Sequence, residues 1–288
     1  MPKEEWKRKR ADGENDLARR EREGIPFFVF PLFERTGLVR QGFSTRIGGV
    51  SKGEFASMNF VSTRGDDPEA VRENYRRMTR ALEIPAERMV LAKQTHTTNV
   101  RVVTEEDAGK GFIRERDYDE VDGLLTNVRE LPLVTFYADC IPLYFLDPVK
   151  KVIGLSHAGW RGTLNRMVEV TVEKMRETYG SAPEDILAGI GPGICRDCYE
   201  VGKEVAEAFY GSWEKDACRR ILFPEANGKY HLDLWEANAV CLRKAGILPE
   251  HLAVADICTC CNKDFMFSHR ASGGRRGNLA AFLCLNRT

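Results

Sequence analysis

The chain has 288 residues, 43 % of them hydrophobic and 9 % aromatic, and its 43 Lys and Arg balance its 43 Asp and Glu. That balance gives no sign of a polyanionic partner, so nucleic-acid binding is not expected. No run of 18 apolar residues is present and the start MPKEEWKRKR has no apolar stretch behind its charges, so neither a membrane span nor a leader is expected, and the expected location is the cytoplasm.

Residues 1–24 are dense in charge and read as a solvated, frayed extension, with residues 25–288 as one catalytic domain. The apolar runs FFVFPLF and LVRQGFST follow, then a helix from Pro68 to Leu82, with Asp66 or Asp67 as its cap and Val71, Tyr75, Met78 and Leu82 along one face. MVLAKQTH, NVRVVT, DGLLTN, LPLVTFYADCIPLYFLD and KVIGLSHAG read as strands. GTLNRMVEVTVEKMRETYG reads as a helix closed by Gly180, DILAGIGPG as a strand and Tyr199 to Phe209 as a helix. LDLWEANAVCLRKAG is expected as a helix stopped at Gly246, and LAVADICT as a strand. The alternation predicts a single mixed α/β domain.

Three strand ends carry metal-ligand chemistry: LAKQTH ends on His96, LVTFYADC on Cys140 and VIGLSH on His157. Three such ligands leave a fourth position open, the pattern of catalytic zinc. Separations of 44 and 17 residues match no short metal signature, so three unrelated residues remain an alternative on spacing alone. The surroundings favour a shared site. HAGWRG places Arg161 between glycines, Gly162 and Thr163 are expected to open a helix that favours an anion, and Arg46 stands beside Gly48 and Gly49. GIGPGIC adds a third glycine-rich turn.

RIGGVS with MNF, KQTH, DGLLTN, YADCIPLYFLDP, HAGWRGT, GPGIC with CYEVG, and DFMFSHR with GGRRGNLAAF together resemble the family described as multicopper polyphenol oxidases or laccase-domain proteins. Its members are also described as purine nucleoside phosphorylases and as a peptidoglycan editing factor. The resemblance runs from about Gly42 to Leu285. It implies a single-domain mixed α/β sandwich similar to the cysteine-hydrolase-like fold of a bacterial deamidating toxin domain. It also implies zinc, or copper, on His96, Cys140 and His157, which would be the catalytic residues with Arg46. Arg46, Arg161 and Asn59 are the implied substrate contacts. The implied activities are phosphorolysis of adenosine, inosine, guanosine and methylthioadenosine, and deamination of adenosine. The partners would be nucleoside and phosphate, and the protein a monomer or weak homodimer. The residue after KQTH departs from the family, which has glycine where this chain has Thr97.

Two other chemistries use the same residues. Cys140 could act as a nucleophile with a histidine base, as in an amidase that edits peptidoglycan precursors. A copper-dependent polyphenol oxidase needs more imidazoles for a multicopper cluster than the five present. Asp139 is a candidate proton shuttle for deamination or a hydrogen-bonding residue. The nine cysteines are expected to be reduced. The pairs Cys195/Cys198 and Cys258/Cys261 are expected at turns, a second zinc site being the alternative. His269 is expected as a hydrogen-bonded packing residue.

Overall fold

The computed structural model describes residues 6–9 and 16–287. Its strands are Ala18–Arg22 (β1), Ile25–Val29 (β2), Val39–Ser44 (β3), Val90–Leu91 (β4), Val100–Val102 (β5), Gly123–Thr126 (β6), Leu133–Tyr137 (β7), Ile141–Asp147 (β8), Val152–Ala158 (β9), Leu187–Ile190 (β10), Glu200–Val201 (β11), Leu222–Pro224 (β12), Tyr230–Leu232 (β13), Leu252–Val254 (β14) and Leu279–Leu285 (β15). The α-helices are Pro31–Glu34 (α1), Pro68–Leu82 (α2), Trp160–Leu164 (α3), Met167–Tyr179 (α4), Lys203–Ser212 (α5), Lys215–Ile221 (α6), Leu234–Lys244 (α7) and His269–Ser272 (α8).

Two six-stranded sheets, ordered β1-β2-β3-β15-β7-β4 and β14-β10-β8-β9-β6-β5, form the body, with a small sheet β11-β13-β12 beside them. Alternate side chains of a strand face opposite ways, which sorts the core into layers. Phe43, Tyr137 and Leu283 of the first sheet meet Tyr144, Leu146 and Leu155 of the second. On the outer face of the first sheet, Phe27, Val134 and Phe282 pack on Val71, Tyr75 and Met78 of α2. On the outer face of the second, Leu143 and Phe145 share a layer with Val168, Val172 and Met175 of α4 and Cys241 of α7. The molecule is thus a mixed α/β sandwich with helices on both outer faces.

Helix α2 begins and ends where the sequence predicts: the Asp67 side chain accepts from the Glu69 N–H, and Pro68 is the first residue. Other elements differ from expectation. LVTFYADCIPLYFLD is two strands, β7 in one sheet and β8 in the other, joined by a turn in which Asp139 has φ 88°. The expected helix from Gly162 to Gly180 is broken at Arg166, which has φ 65°, into α3 and α4. The expected helix from Tyr199 starts instead at Lys203, because Glu200 and Val201 pair with His231 and Tyr230.

The described part of the expected N-terminal extension is built into the fold. Residues Ala18 to Arg22 pair with Val29 to Ile25 in register, and Leu17 is buried. Trp6 stacks against Phe28 and Phe265 at centroid distances of 4.9 and 4.6 Å, and Arg8 forms an ion pair with Asp256. The described residues before Gly24 are therefore part of the fold and not a free extension. Expected fraying of residues 1–5 and 10–15 lies outside the described residues.

Candidate active site

His157 is the penultimate residue of β9, opposite Pro142 of β8, and is buried. Cys140 lies in the turn between the sheets. His96 is not on a strand: β4 ends at Leu91, and the chain reaches His96 through a loop in which that residue takes φ 67°. The three are nevertheless gathered, with one ligand atom from each lying within 4.8 Å of the others. Cys140 Sγ is 3.9 Å from His96 Nε2, and the two imidazole centroids are 4.9 Å apart.

The residue that arranges them is Asp122, which sequence reasoning passed over within DGLLTN. Its fully buried carboxylate accepts from the backbone N–H groups of Thr95, His96 and Thr97 at 2.9, 3.0 and 3.1 Å. His157 Nδ1 donates to it at 2.8 Å. One carboxylate thereby fixes the left-handed loop that presents His96 and the ring orientation of His157. The Thr97 hydroxyl lies 3.0 Å from the same carboxylate and adds to its donors. The only local sign in the sequence is an acid directly ahead of an apolar strand run, and its partners come from distant segments.

Gly159 explains part of the HAGWRG motif. A Cβ there would come within 3.0 Å of Cys140 Sγ and 3.1 Å of His96 Cδ2, so any other residue would push these two side chains aside by a few tenths of an ångström. Burial opposes ionisation of Cys140, but His157 and His96 outweigh it and bring the thiol down to about 6. Burial likewise opposes a charged His157, yet Cys140 and Asp122 hold it up at about 9. The two shifts are mutual: each group favours the charged form of the other.

The cluster opens into a cavity of about 850 Å³. Arg64, Arg72, Arg116, Arg161, Arg270 and Arg276 line it, with Lys93, and among the described residues Asp139 is the one acid there. Arg276 is half-buried, and its Nε has no hydrogen-bond partner among the described residues. Burial, joined by the charge of Arg64, lowers its pKa to about 10. Such a guanidinium favours an anionic partner. Arg161 lies 4.3 Å over the Trp160 ring at the cavity wall.

The other expected contacts sit elsewhere. Arg46 does not line the cavity: its guanidinium donates to the carbonyls of Ala56 and Lys263 and lies over Phe267. Asn59 is fully buried and bonds Val61, Asp66 and the Asn278 N–H, so it shapes the cavity wall at Asn278 without lining the cavity itself. Gly162 and Thr163 lie within α3 and do not open it, and the Thr163 hydroxyl accepts from Asn238. Asp139 takes the hydrogen-bonding role, accepting from the Thr259 hydroxyl at 2.6 Å and the Arg270 N–H at 2.7 Å. His269 is exposed and lines the cavity, contrary to its expected packing role.

The donor set fits zinc. Two imidazoles and a thiol converge beside open space, and a carboxylate orients one imidazole from behind. Among the described residues, the only other group of three or more potential ligands contains four cysteines and no histidine, so a multicopper cluster has no further imidazole site.

Residues 40–286 match the family described as multi-copper polyphenol oxidoreductase laccase. The chain is 37 % identical over 254 residues to purine nucleoside phosphorylase YlmD of Geobacillus stearothermophilus, covering 84 % of this chain and 88 % of that one. It is 32 % identical over 245 residues to adenosine deaminase RL5 of an unknown prokaryotic organism, covering 82 % and 90 %. The crystal structure of YlmD from Geobacillus stearothermophilus superposes with a TM-score of 0.87 at 33 % identity, over 95 % of this chain and all of that one.

Proposed function

The chain belongs to the multi-copper polyphenol oxidoreductase laccase family, and on that premise we propose that it is a zinc-dependent purine nucleoside phosphorylase that also deaminates adenosine. The observation that carries this reading is the His96, Cys140 and His157 cluster at one side of an arginine-lined cavity. The names of its relatives, purine nucleoside phosphorylase and adenosine deaminase, support it. Adenosine, inosine, guanosine and methylthioadenosine are the proposed substrates.

In this reading His96, Cys140 and His157 hold the metal, which when bound supplies Lewis acidity. Arg276 and Arg161 hold phosphate, and the cavity's aromatic side chains, Phe60, Phe112 and Phe136 among them, exclude water around the purine and ribose. Asp122 keeps the Nδ1 proton on His157, so that Nε2 is the free donor atom. None of the nine cysteines is paired in a disulfide, in keeping with the proposed cytoplasmic location. The test is product analysis by chromatography on zinc-loaded protein with adenosine, with and without phosphate. Adenine formed only with phosphate supports phosphorolysis, and inosine formed without it supports deamination.

A second reading rests on the lowered thiol of Cys140 beside His157 and Asp122, a Cys–His–Asp arrangement suited to nucleophilic attack on an amide. Amino-acid release from peptidoglycan precursors by metal-free protein, with no nucleoside turnover, would favour it.

A further inference from the structure

The two C-x-x-C pairs do not lie apart at separate turns. The loop after β10 and the loop after β14 run side by side, bridged between Gly193 and Cys258, and bring Cys195, Cys198, Cys258 and Cys261 together so that all four sulfurs lie within 4.8 Å of one another. Cys198 Sγ is 3.4 Å and Cys195 Sγ 3.9 Å from Cys261 Sγ. In a tetrahedron with zinc–sulfur bonds of about 2.3 Å, the sulfurs stand roughly 3.8 Å apart, so the observed spacing suits such a centre. It is far longer than the ~2 Å of a disulfide bond.

The backbone is arranged for thiolates as well. The N–H groups of Cys195 and Cys261 both point at Cys258 Sγ, at 3.2 and 3.4 Å. Cys195 and Cys258 are buried and the other two half-buried, which leaves no open coordination position comparable to that of the histidine cluster. Lys9 adds positive charge beside the loop, its ammonium donating to Asp197 at 3.0 Å.

We infer that Cys195, Cys198, Cys258 and Cys261 form a closed, four-thiolate site for one zinc ion, separate from the histidine cluster. Zinc enters as the divalent ion and the thiols give up their protons, with no change in oxidation state. The site has a structural role next to the active centre. Cys198 offers its carbonyl to Arg270 at 3.2 Å, Thr259 donates to Asp139, and the Ile194 N–H donates to the Asp139 carbonyl at 2.8 Å. Asp139 immediately precedes Cys140, so the metal fixes the two loops that hold one wall of the cavity.

The test uses full-length His96→Ala/His157→Ala protein, whose histidine cluster is dismantled, purified from zinc-supplemented cells. The expected results are about one zinc per chain by elemental analysis and an X-ray absorption shell of four sulfurs at about 2.3 Å. Cys198→Ser/Cys261→Ser protein is expected to lose this zinc while the wild type holds about two. Absence of tightly bound zinc from the histidine variant, nitrogen or oxygen in its shell, or iron in place of zinc would overturn the assignment. So would an intact mass showing that the four cysteines have paired as disulfides. None of these outcomes depends on nucleoside turnover, so the site stands or falls apart from the proposed activity.

Discussion

His157 Nδ1 lies 2.8 Å from Asp122 Oδ1, and this bond decides which ring nitrogen carries the proton. An ionised carboxylate only accepts, so Nδ1 carries the proton and Nε2 keeps its lone pair for a metal. Asp122→Asn replaces that acceptor with an amide that can donate, which favours the opposite tautomer. Zinc affinity, read by competition with a chromophoric chelator, is expected to fall about 10–100-fold, with turnover falling alongside. Unchanged affinity would mean that the bond does not set the tautomer.

Arg276 and Arg46 should separate by function. Arg276 lines the cavity, so Arg276→Ala is expected to raise KM for phosphate at least ~10-fold with little loss of thermal stability. Arg46 holds the carbonyls of Ala56 and Lys263 instead. Arg46→Ala is therefore expected to cost about 1–3 kcal/mol in denaturant unfolding and to leave the phosphate KM near wild type. The reverse pattern would return Arg46 to the substrate.

How far these distinctions were legible in the sequence varies by residue. Residue type at the ends of apolar runs points to His96, Cys140 and His157, and the structure gathers them. Helix α2 was legible to its cap because Asp67 and Pro68 are local signals. Arg46 was misplaced because a basic residue in a glycine loop looks the same whether it faces a ligand or backbone carbonyls. Asp122 was missed since its partners, Thr95 to Thr97 and His157, come from distant segments that only the tertiary fold unites. The split of LVTFYADCIPLYFLD across two sheets is hidden for a similar reason: both strands are buried and mostly apolar, so only Asp139 between them marks the turn.

Acid sensitivity should follow Asp107. Burial opposes its ionisation, but Lys110, the Thr104 N–H and Arg101 outweigh it and hold the carboxyl below its ordinary 3.8. A depressed acid stabilises the fold above the unfolded-state value, and that contribution is lost as pH falls through the lower folded value. Asp107→Asn is expected to cost about 1–3 kcal/mol at pH 7 and to narrow the gap from wild type as pH drops below about 4. A constant difference across pH 2–7 in urea unfolding would contradict this, since the carboxylate charge would then contribute nothing.

Deleting residues 1–24 should destabilise the whole domain. It removes β1, the buried Leu17 and the Trp6 contacts with Phe28 and Phe265. Burial of Leu17 and Trp6 alone is worth about 3–5 kcal/mol. Calorimetry is expected to show a Tm lower by several degrees; an unchanged Tm would return the segment to the status of a tail.

The most direct test of the central claim is phosphorus NMR of zinc-loaded protein mixed with adenosine and phosphate, with His157→Ala as the control. The account predicts a growing ribose 1-phosphate signal in the wild type and none in the variant. No ribose 1-phosphate from zinc-loaded wild type, or equal amounts from both proteins, would contradict it.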